Sequence, residues 1–104
     1  MDKFYALAAP IRREIIDLLS TGEQLTATAI AEQFQLTPPA ISQHLKVLLD
    51  CKLVRMHKEA QRRIYELNPI AIAEVEAWAS QIAVQLSKMN PIKLNETLEK
   101  QEAA

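Results

Sequence analysis

The apolar period of the chain changes near Leu53, and this change limits the fold more than any other feature of the sequence. Before it, apolar residues recur every three or four positions, whereas in LVRMHKEAQRRIYEL, residues 53–67, they alternate with polar ones. A period of about 3.6 indicates helix and a period of two indicates strand. After Asn68-Pro69 the helical period returns. We therefore expect several helices, one β-hairpin and a final helix.

Turn and cap residues divide the first part of the chain into short helices. A leading helix is expected around residues 4–8, and Pro10 suits the first position of the next helix, which Gly22 would end in a left-handed conformation. Thr26 and Thr37 are the natural N-caps of two further helices, the second of which covers 38–51. The hairpin turn falls near residues 59–61, and because this tip lacks Gly and Asn we expect a loop longer than two residues.

The long final helix carries an apolar seam. Its residues fall at spacings of 3, 4, 3, 4 and 3, the pattern of a heptad repeat; they are Ile72, Val75, Ala79, Ile82, Leu86 and Met89. The seam would either join two copies of the chain or pack against the first helices of the same copy. We expect one domain over residues 1–89, followed by a tail, residues 90–104, that is partly helical or frayed.

Composition and cysteine content exclude several classes of protein. The chain has 104 residues, of which 49% are hydrophobic and 24% charged, as in ordinary globular domains. No apolar run approaches the roughly 18 residues of a membrane span, and no signal peptide is evident. Cys51 is the single cysteine, expected to be a small packing residue rather than a thiol sensor, and it fits a reducing cytoplasm. We predict a cytoplasmic protein without membrane association.

Basic charge is concentrated in one block of an otherwise acidic chain. Residues 37–65 carry a net charge of +4, whereas residues 1–36 carry −2 and residues 66–104 carry −3. Such a block can bind a polyanion, although charge clusters of this size are more often solvated faces. Within it, Arg62 and Arg63 are expected to reach a minor groove or its phosphates. Arg12 and Arg13, outside it, would contact phosphate or pair with nearby acids.

The predicted helix 38–51 has two chemically different faces. On a helical wheel, one arc is apolar and must face the core; it consists of Ile41, Leu45, Leu48 and Leu49. The opposite arc, Pro39, Ser42, Gln43 and Lys46, carries no carboxylate, and His44 lies between the arcs. Gln can pair with adenine, Ser with a base or phosphate, and Lys supplies charge. This chemistry suits a helix that reads the major groove.

Two short helices, a short turn and a basic hairpin are the layout of a mainly α winged helix-turn-helix fold. Three segments, YALAAPIRREIIDLL, LTPPAISQHLKVLLDCKLV and RRIYELNP, together resemble the ArsR/SmtB-type bacterial repressors over about residues 5–69. The resemblance implies a homodimer on double-stranded DNA with two half-sites. It implies that Ser42, Gln43 and His44 lie at the DNA, with Thr37 and Lys46 nearby. It also implies a dimer interface formed by the first and last helices, with Phe4, Leu7, Ile72, Val75, Trp78, Ala79, Ile82 and Leu86.

The chain departs from the family pattern at four positions. Ala9 stands where an acidic N-cap is frequent, Pro39 where a Gln often lies, and Lys52 and Ala60 where glycines are usual. A left-handed Lys52 would cost on the order of 1 kcal/mol. The wing geometry at Ala60 therefore stays open.

The sequence predicts neither a metal site, nor another cofactor, nor an enzyme. The expected third helix lacks a Cys-x-Cys pair, and the last helix has no His or Cys. Glu74 and Glu76, two positions apart, do not share a helix face. A small organic effector near Trp78 is a further option beside plain interface packing. The leading hypothesis is a DNA-binding repressor, and the alternative is a winged-helix module that binds proteins.

Overall fold

The computed structural model describes residues 2–89 of the chain. These residues form five helices and three strands: α1 Lys3–Leu7, α2 Pro10–Leu19, β1 Leu25–Thr26, α3 Ala27–Phe34, α4 Pro38–Asp50, β2 Val54–Glu59, β3 Arg62–Leu67 and α5 Pro69–Met89. The chain divides into two compact units, the first ending at Ile72 and the second beginning at Ala73. The predicted tail, residues 90–104, lies outside the described residues, and the single domain over 1–89 stays a prediction.

The sheet has three strands rather than the two expected from the sequence. β3 lies in the centre, with the hairpin partner β2 on one side and the two-residue strand β1 on the other, both antiparallel. Leu25 lies opposite Tyr65, and Thr26 lies opposite Ile64. Sequence analysis did not predict β1, because two residues are too few to display a period. This strand connects the start of α3 to the middle of β3.

The hairpin turn is tighter than expected. Glu59 and Arg62 are the last paired residues, so only Ala60 and Gln61 form the loop. Ala60 supplies the positive φ, +54°, that a two-residue connection commonly needs. The expectation of a longer loop was therefore wrong, because a non-glycine residue has adopted the left-handed conformation.

The core of the first unit lies between α2, α3, α4 and the base of the sheet. Its fully buried large side chains are Ile15, Leu19, Ile30, Ile41, Leu45, Leu48, Leu53 and Val54. Three of these come from the apolar arc of α4, as predicted, while Leu49 at the margin of the arc is only partly buried. Burying each such side chain stabilises the fold by roughly 1.5–3 kcal/mol. α4 is therefore fixed along one whole side.

Two arginines of α2 hold the end of α1. Arg12 donates from Nε to the carbonyl of Ala6 at 2.8 Å and from Nη2 to that of Tyr5 at 3.2 Å. Arg13 donates from Nη1 to the carbonyl of Leu7 at 2.6 Å. The last carbonyls of a helix lack intrahelical partners, and cations are favourable there. The sequence did not predict this contact between the two arginines and the end of α1.

The predicted first residue of α2 and the predicted N-cap of α3 are confirmed, whereas the predicted end of α2 is not. Thr26 accepts from the Ala29 amide at 3.1 Å, and Pro10 is the first residue of α2, as expected. α2, however, ends at Leu19 rather than at Gly22. Gly22 does have a left-handed φ of +87°, and its amide donates to the Leu19 carbonyl at 3.1 Å.

Lys52 adopts the left-handed conformation that glycine usually supplies, with φ +63°. Its amide donates to the carbonyl of Leu49, and the amide of Leu53 donates to that of Leu48, both at 3.0 Å. These two bonds are the Schellman pattern that closes a helix. The end of α4 is therefore fixed by backbone geometry despite the missing glycine.

Candidate nucleic-acid interface

The start of α4 is closed by Thr37. Its Oγ1 accepts from the Ala40 amide at 3.4 Å, and its carbonyl accepts from the Ile41 amide at 3.1 Å. Pro38 and Pro39 have no N–H to offer. Every N–H of this first turn therefore has an acceptor within the chain. An anion at the start of α4 would have to be held by side chains.

The predicted reading face of α4 lies in solvent. Pro39, Ser42, Gln43 and Lys46 are exposed, and His44 is half-buried at the margin between the two arcs. Thr37 is exposed at the start of the helix. Ile41, Leu45 and Leu48 are buried on the opposite side of α4, so their packing prevents the helix from rotating about its axis. The structure therefore presents these six residues together, along α4 from its N-cap to Lys46.

The hairpin places its two arginines on opposite faces. Paired residues in an antiparallel ladder point to the same side, and successive residues point to opposite sides. Arg62 lies opposite Glu59, whereas Arg63 lies opposite Lys58. The Arg63 side of the ladder continues, nearer the base, with Met56 opposite Tyr65 and belongs to the core face of the sheet.

The pairing of Lys58 with Arg63 was not foreseen from the sequence. Like charges directly opposite one another in a sheet repel. On the other face the acids alternate with the bases, since Arg55 lies opposite Glu66 and Glu59 opposite Arg62. The positive charge that is not offset within the ladder is therefore concentrated on the core side of the wing tip. Lys58 belongs to the basic block seen in the sequence, but its pairing with Arg63 depends on the register of the hairpin.

A shallow cleft separates the wing tip from the start of α3. It is lined by Thr26, Ala27, Thr28, Gln61, Arg62 and Arg63. β1 creates this proximity, because its pairing with β3 carries the first turn of α3 to the hairpin. Both arginines thus line the same cleft, although their Cα–Cβ bonds leave the ladder on opposite sides.

The described residues hold no group of three or more His, Cys, Asp and Glu side chains that could bind a metal ion. Cys51 is buried against the core, where a small apolar side chain fits. No helix among residues 2–89 is long and apolar enough to cross a membrane.

The seam of α5 is largely open to solvent in the single chain. Ile82 is 44% exposed, Leu86 49% and Trp78 53%, while Val75 is half-buried. At the other end of the chain, Phe4 is 41% exposed and Leu7 is half-buried. Ile72 is half-buried and Ala79 exposed. Large apolar residues are therefore exposed at regular helical spacing along α5.

Comparisons with known proteins agree with this architecture. The family model described as bacterial regulatory protein, arsR family, matches residues 9–56, from the start of α2 into β2. The transcriptional repressor SdpR of Bacillus subtilis (strain 168) is 37% identical over 75 residues, which make up 72% of this chain and 82% of the repressor.

Two solved structures share the fold. A crystal structure of a possible transcriptional regulator for arsenical resistance is 34% identical with a TM-score of 0.71; the match covers 79% of this chain and 84% of that one. The solution structure of the homodimeric winged helix-turn-helix DNA-binding domain Mb0332 from Mycobacterium bovis, a possible ArsR-family transcriptional regulator, is 27% identical. Its TM-score is 0.63, with coverage of 78% and 74%.

The predicted winged helix-turn-helix fold is therefore confirmed, and so is the expectation of a regulatory protein rather than an enzyme. Two short helices, α3 and α4, are joined by a short turn and followed by the wing, β2 and β3, in the order that the resemblance implied. The chain belongs to the arsR family of bacterial regulatory proteins.

Proposed function

We propose that the protein is a homodimeric, sequence-specific DNA-binding repressor of transcription that acts in the bacterial cytoplasm. One observation carries the proposal: the exposed face of α4 has no carboxylate before Asp50 and is backed along its length by buried side chains. A helix that enters the major groove needs an exposed face that is neutral or basic, and an opposite face that is packed firmly on the core.

Each residue of the front has a distinct task in this proposal. Gln43 pairs with an adenine edge through its amide, and Ser42 bonds a base or a phosphate. Lys46 supplies charge to the backbone, and His44 packs at the flank of the groove or contacts a phosphate. Thr37 and Pro39 lie at the end that enters the groove first. Because the first turn has no unused N–H, side chains hold the phosphates there.

The wing completes the contact with DNA. Arg63 and the newly found Lys58 lie on the core side of its tip, so their charges would add at one phosphate. Arg62 lines the cleft beside α3 and would reach the minor groove or its edge. Charge from both helix and wing is what sets the dependence of affinity on salt.

The exposed seam of α5 and the α1 residues Phe4 and Leu7 form the dimer interface in this proposal. The homodimeric Mycobacterium bovis domain is a structural neighbour, and a dimer would place two reading helices on two half-sites. Sedimentation at micromolar concentration should give a dimer, and a chain that stays monomeric would exclude the two-half-site arrangement.

DNA binding is tested by selecting duplexes from a random pool. We expect a consensus with two half-sites and an affinity that falls about 10³-fold between about 50 and 200 mM salt. Gln43→Ala should flatten the sequence preference, whereas Lys46→Ala should weaken binding to all sequences and reduce the salt slope. Gln81→Ala and Lys88→Ala, on exposed positions of α5, are the matched controls and should change neither.

The competing function is a winged-helix module that binds proteins through α5. It would be favoured if no duplex were selected and a protein partner were recovered with the wild type but not with a variant of the α5 seam. Repeating the selection with metals, oxidants and cell extract tests whether a small molecule regulates DNA binding.

A further inference from the structure

Asn68 joins the end of the reading helix to the start of α5. It is the residue between β3 and α5, and it lies beside the turn that leaves α4. Its backbone N–H donates to the Leu53 carbonyl at 2.9 Å, which extends the hairpin ladder by one bond beyond Val54 and Leu67. The two connections, α4 to β2 and β3 to α5, therefore run side by side at the base of the wing.

The side-chain amide of Asn68 bonds to both connections at once. Nδ2 donates to the carbonyl of Lys52 at 2.9 Å, while Oδ1 accepts from the amide of Ile70 at 3.1 Å. The first bond holds the left-handed residue that closes α4, and the second caps the first turn of α5. Since Oδ1 and Nδ2 belong to one planar group, a rotation that improves one bond disturbs the other.

We infer that Asn68 is a positioning residue for DNA recognition: it fixes the end of α4 to the first turn of α5. The inference rests on the proposed function, in which α4 reads DNA. Any rearrangement of residues 69–72 has to stretch the bond to the Lys52 carbonyl or lose the cap. The orientation of the reading helix therefore depends on a side chain that does not touch DNA.

The choice of asparagine at position 68 supports a role beyond capping α5. A simple N-cap needs only an oxygen, which Asp or Ser supplies as well as Asn does. The donor Nδ2 is the part that a cap does not require, and it is the atom that reaches α4. The residue whose carbonyl accepts from this donor, Lys52, is the one that closes α4 with a left-handed φ of +63°.

The test uses two variants that keep the capping oxygen and lose the amide donor, Asn68→Asp and Asn68→Ser. They differ in charge, so an effect shared by both reports the lost bond to Lys52. The probes are a duplex selected by the wild-type chain and a scrambled duplex of the same composition. Asn68→Ala, which removes the cap as well, measures how much stability the junction contributes.

We expect both variants to fold and to dimerise as the wild type does. Their affinity for the selected duplex should fall about tenfold, the equivalent of one hydrogen bond, while affinity for the scrambled duplex stays within twofold. Equal loss on both duplexes, or no loss in a folded variant, would overturn the inference. If the wild type selects no duplex, the proposed function itself fails, and this inference fails with it.

Should both variants unfold, Asn68→Gln retains amide chemistry but places the donor one methylene further out. If it folds and loses affinity equally for the selected and the scrambled duplex, positioning by this donor is excluded. If it folds and loses affinity only for the selected duplex, positioning is supported.

Discussion

Replacing Lys52 with glycine should stabilise the protein, although it deletes a charged side chain. Lys52 has a φ of +63° and is locked there by its bond to Leu49, by the bond of Leu53 to Leu48 and by the Asn68 amide. A residue with a Cβ loses roughly 1–2 kcal/mol in this conformation. Glycine avoids this strain but has more conformational freedom to lose on folding, about 0.5–1 kcal/mol. The net gain for Lys52→Gly is therefore about 1 kcal/mol.

The assay is urea unfolding of the full chain at one fixed protomer concentration, because the stability of a dimer depends on concentration. A gain of about 1 kcal/mol raises the midpoint by about 0.3–1 M urea, or the melting temperature by about 4–8 °C. Lys52→Ala is the matched control, since it removes the same charge and keeps the Cβ. It should lie within about 0.5 kcal/mol of the wild type.

The comparison of the two variants decides the matter. If Lys52→Gly were no more stable than Lys52→Ala, the left-handed residue would carry no strain, and the closure of α4 would need another explanation. A large gain in both variants would instead point to charge repulsion at Lys52. DNA affinity is measured separately, because both variants remove one cation.

Two further predictions concern the caps and the wing. Thr26→Ala should lower the free energy of unfolding by about 1–2 kcal/mol and Thr37→Ala by about 0.5 kcal/mol. The reason is that the Thr26 hydroxyl lies 3.1 Å from the Ala29 amide, whereas the Thr37 hydroxyl lies 3.4 Å from the Ala40 amide. Urea unfolding measures both losses, and the reverse order would refute the argument from cap geometry. Lys58→Ala should leave stability unchanged or raised, because it relieves repulsion with Arg63, yet it should weaken DNA binding most at low salt. A loss of stability would show that Lys58 packs rather than repels.

Local signals were enough to predict most of this fold from sequence. The caps at Thr26 and Thr37 are chemical, because a hydroxyl next to an apolar periodic segment can satisfy a helix N–H. The buried arc of α4 followed from its period. In both cases the residues that form the signal lie within four positions of one another, so a short stretch of sequence is enough to predict the feature.

The features that sequence analysis missed depend on contacts between distant segments. β1 is a strand only because β3 lies beside it, some 40 residues further along the chain. Arg12 and Arg13 cap α1 because a turn brings α2 back to it, and their charge alone predicted contacts with anions instead. Neither the pairing of β1 nor the capping of α1 can be recognised from the hydrophobic period or the composition.

The length of the hairpin loop decides which face of the wing carries each arginine. A loop of two residues places Arg63 opposite Lys58 on the core side of the tip and leaves Arg62 with Glu59. One more residue in the loop would shift the register and turn each side chain to the other face, so that Arg62 would take the core side. The strained φ of Ala60, +54°, is what keeps the loop short. The face of the wing that carries unbalanced positive charge is therefore decided by the backbone of an alanine rather than by the arginines themselves.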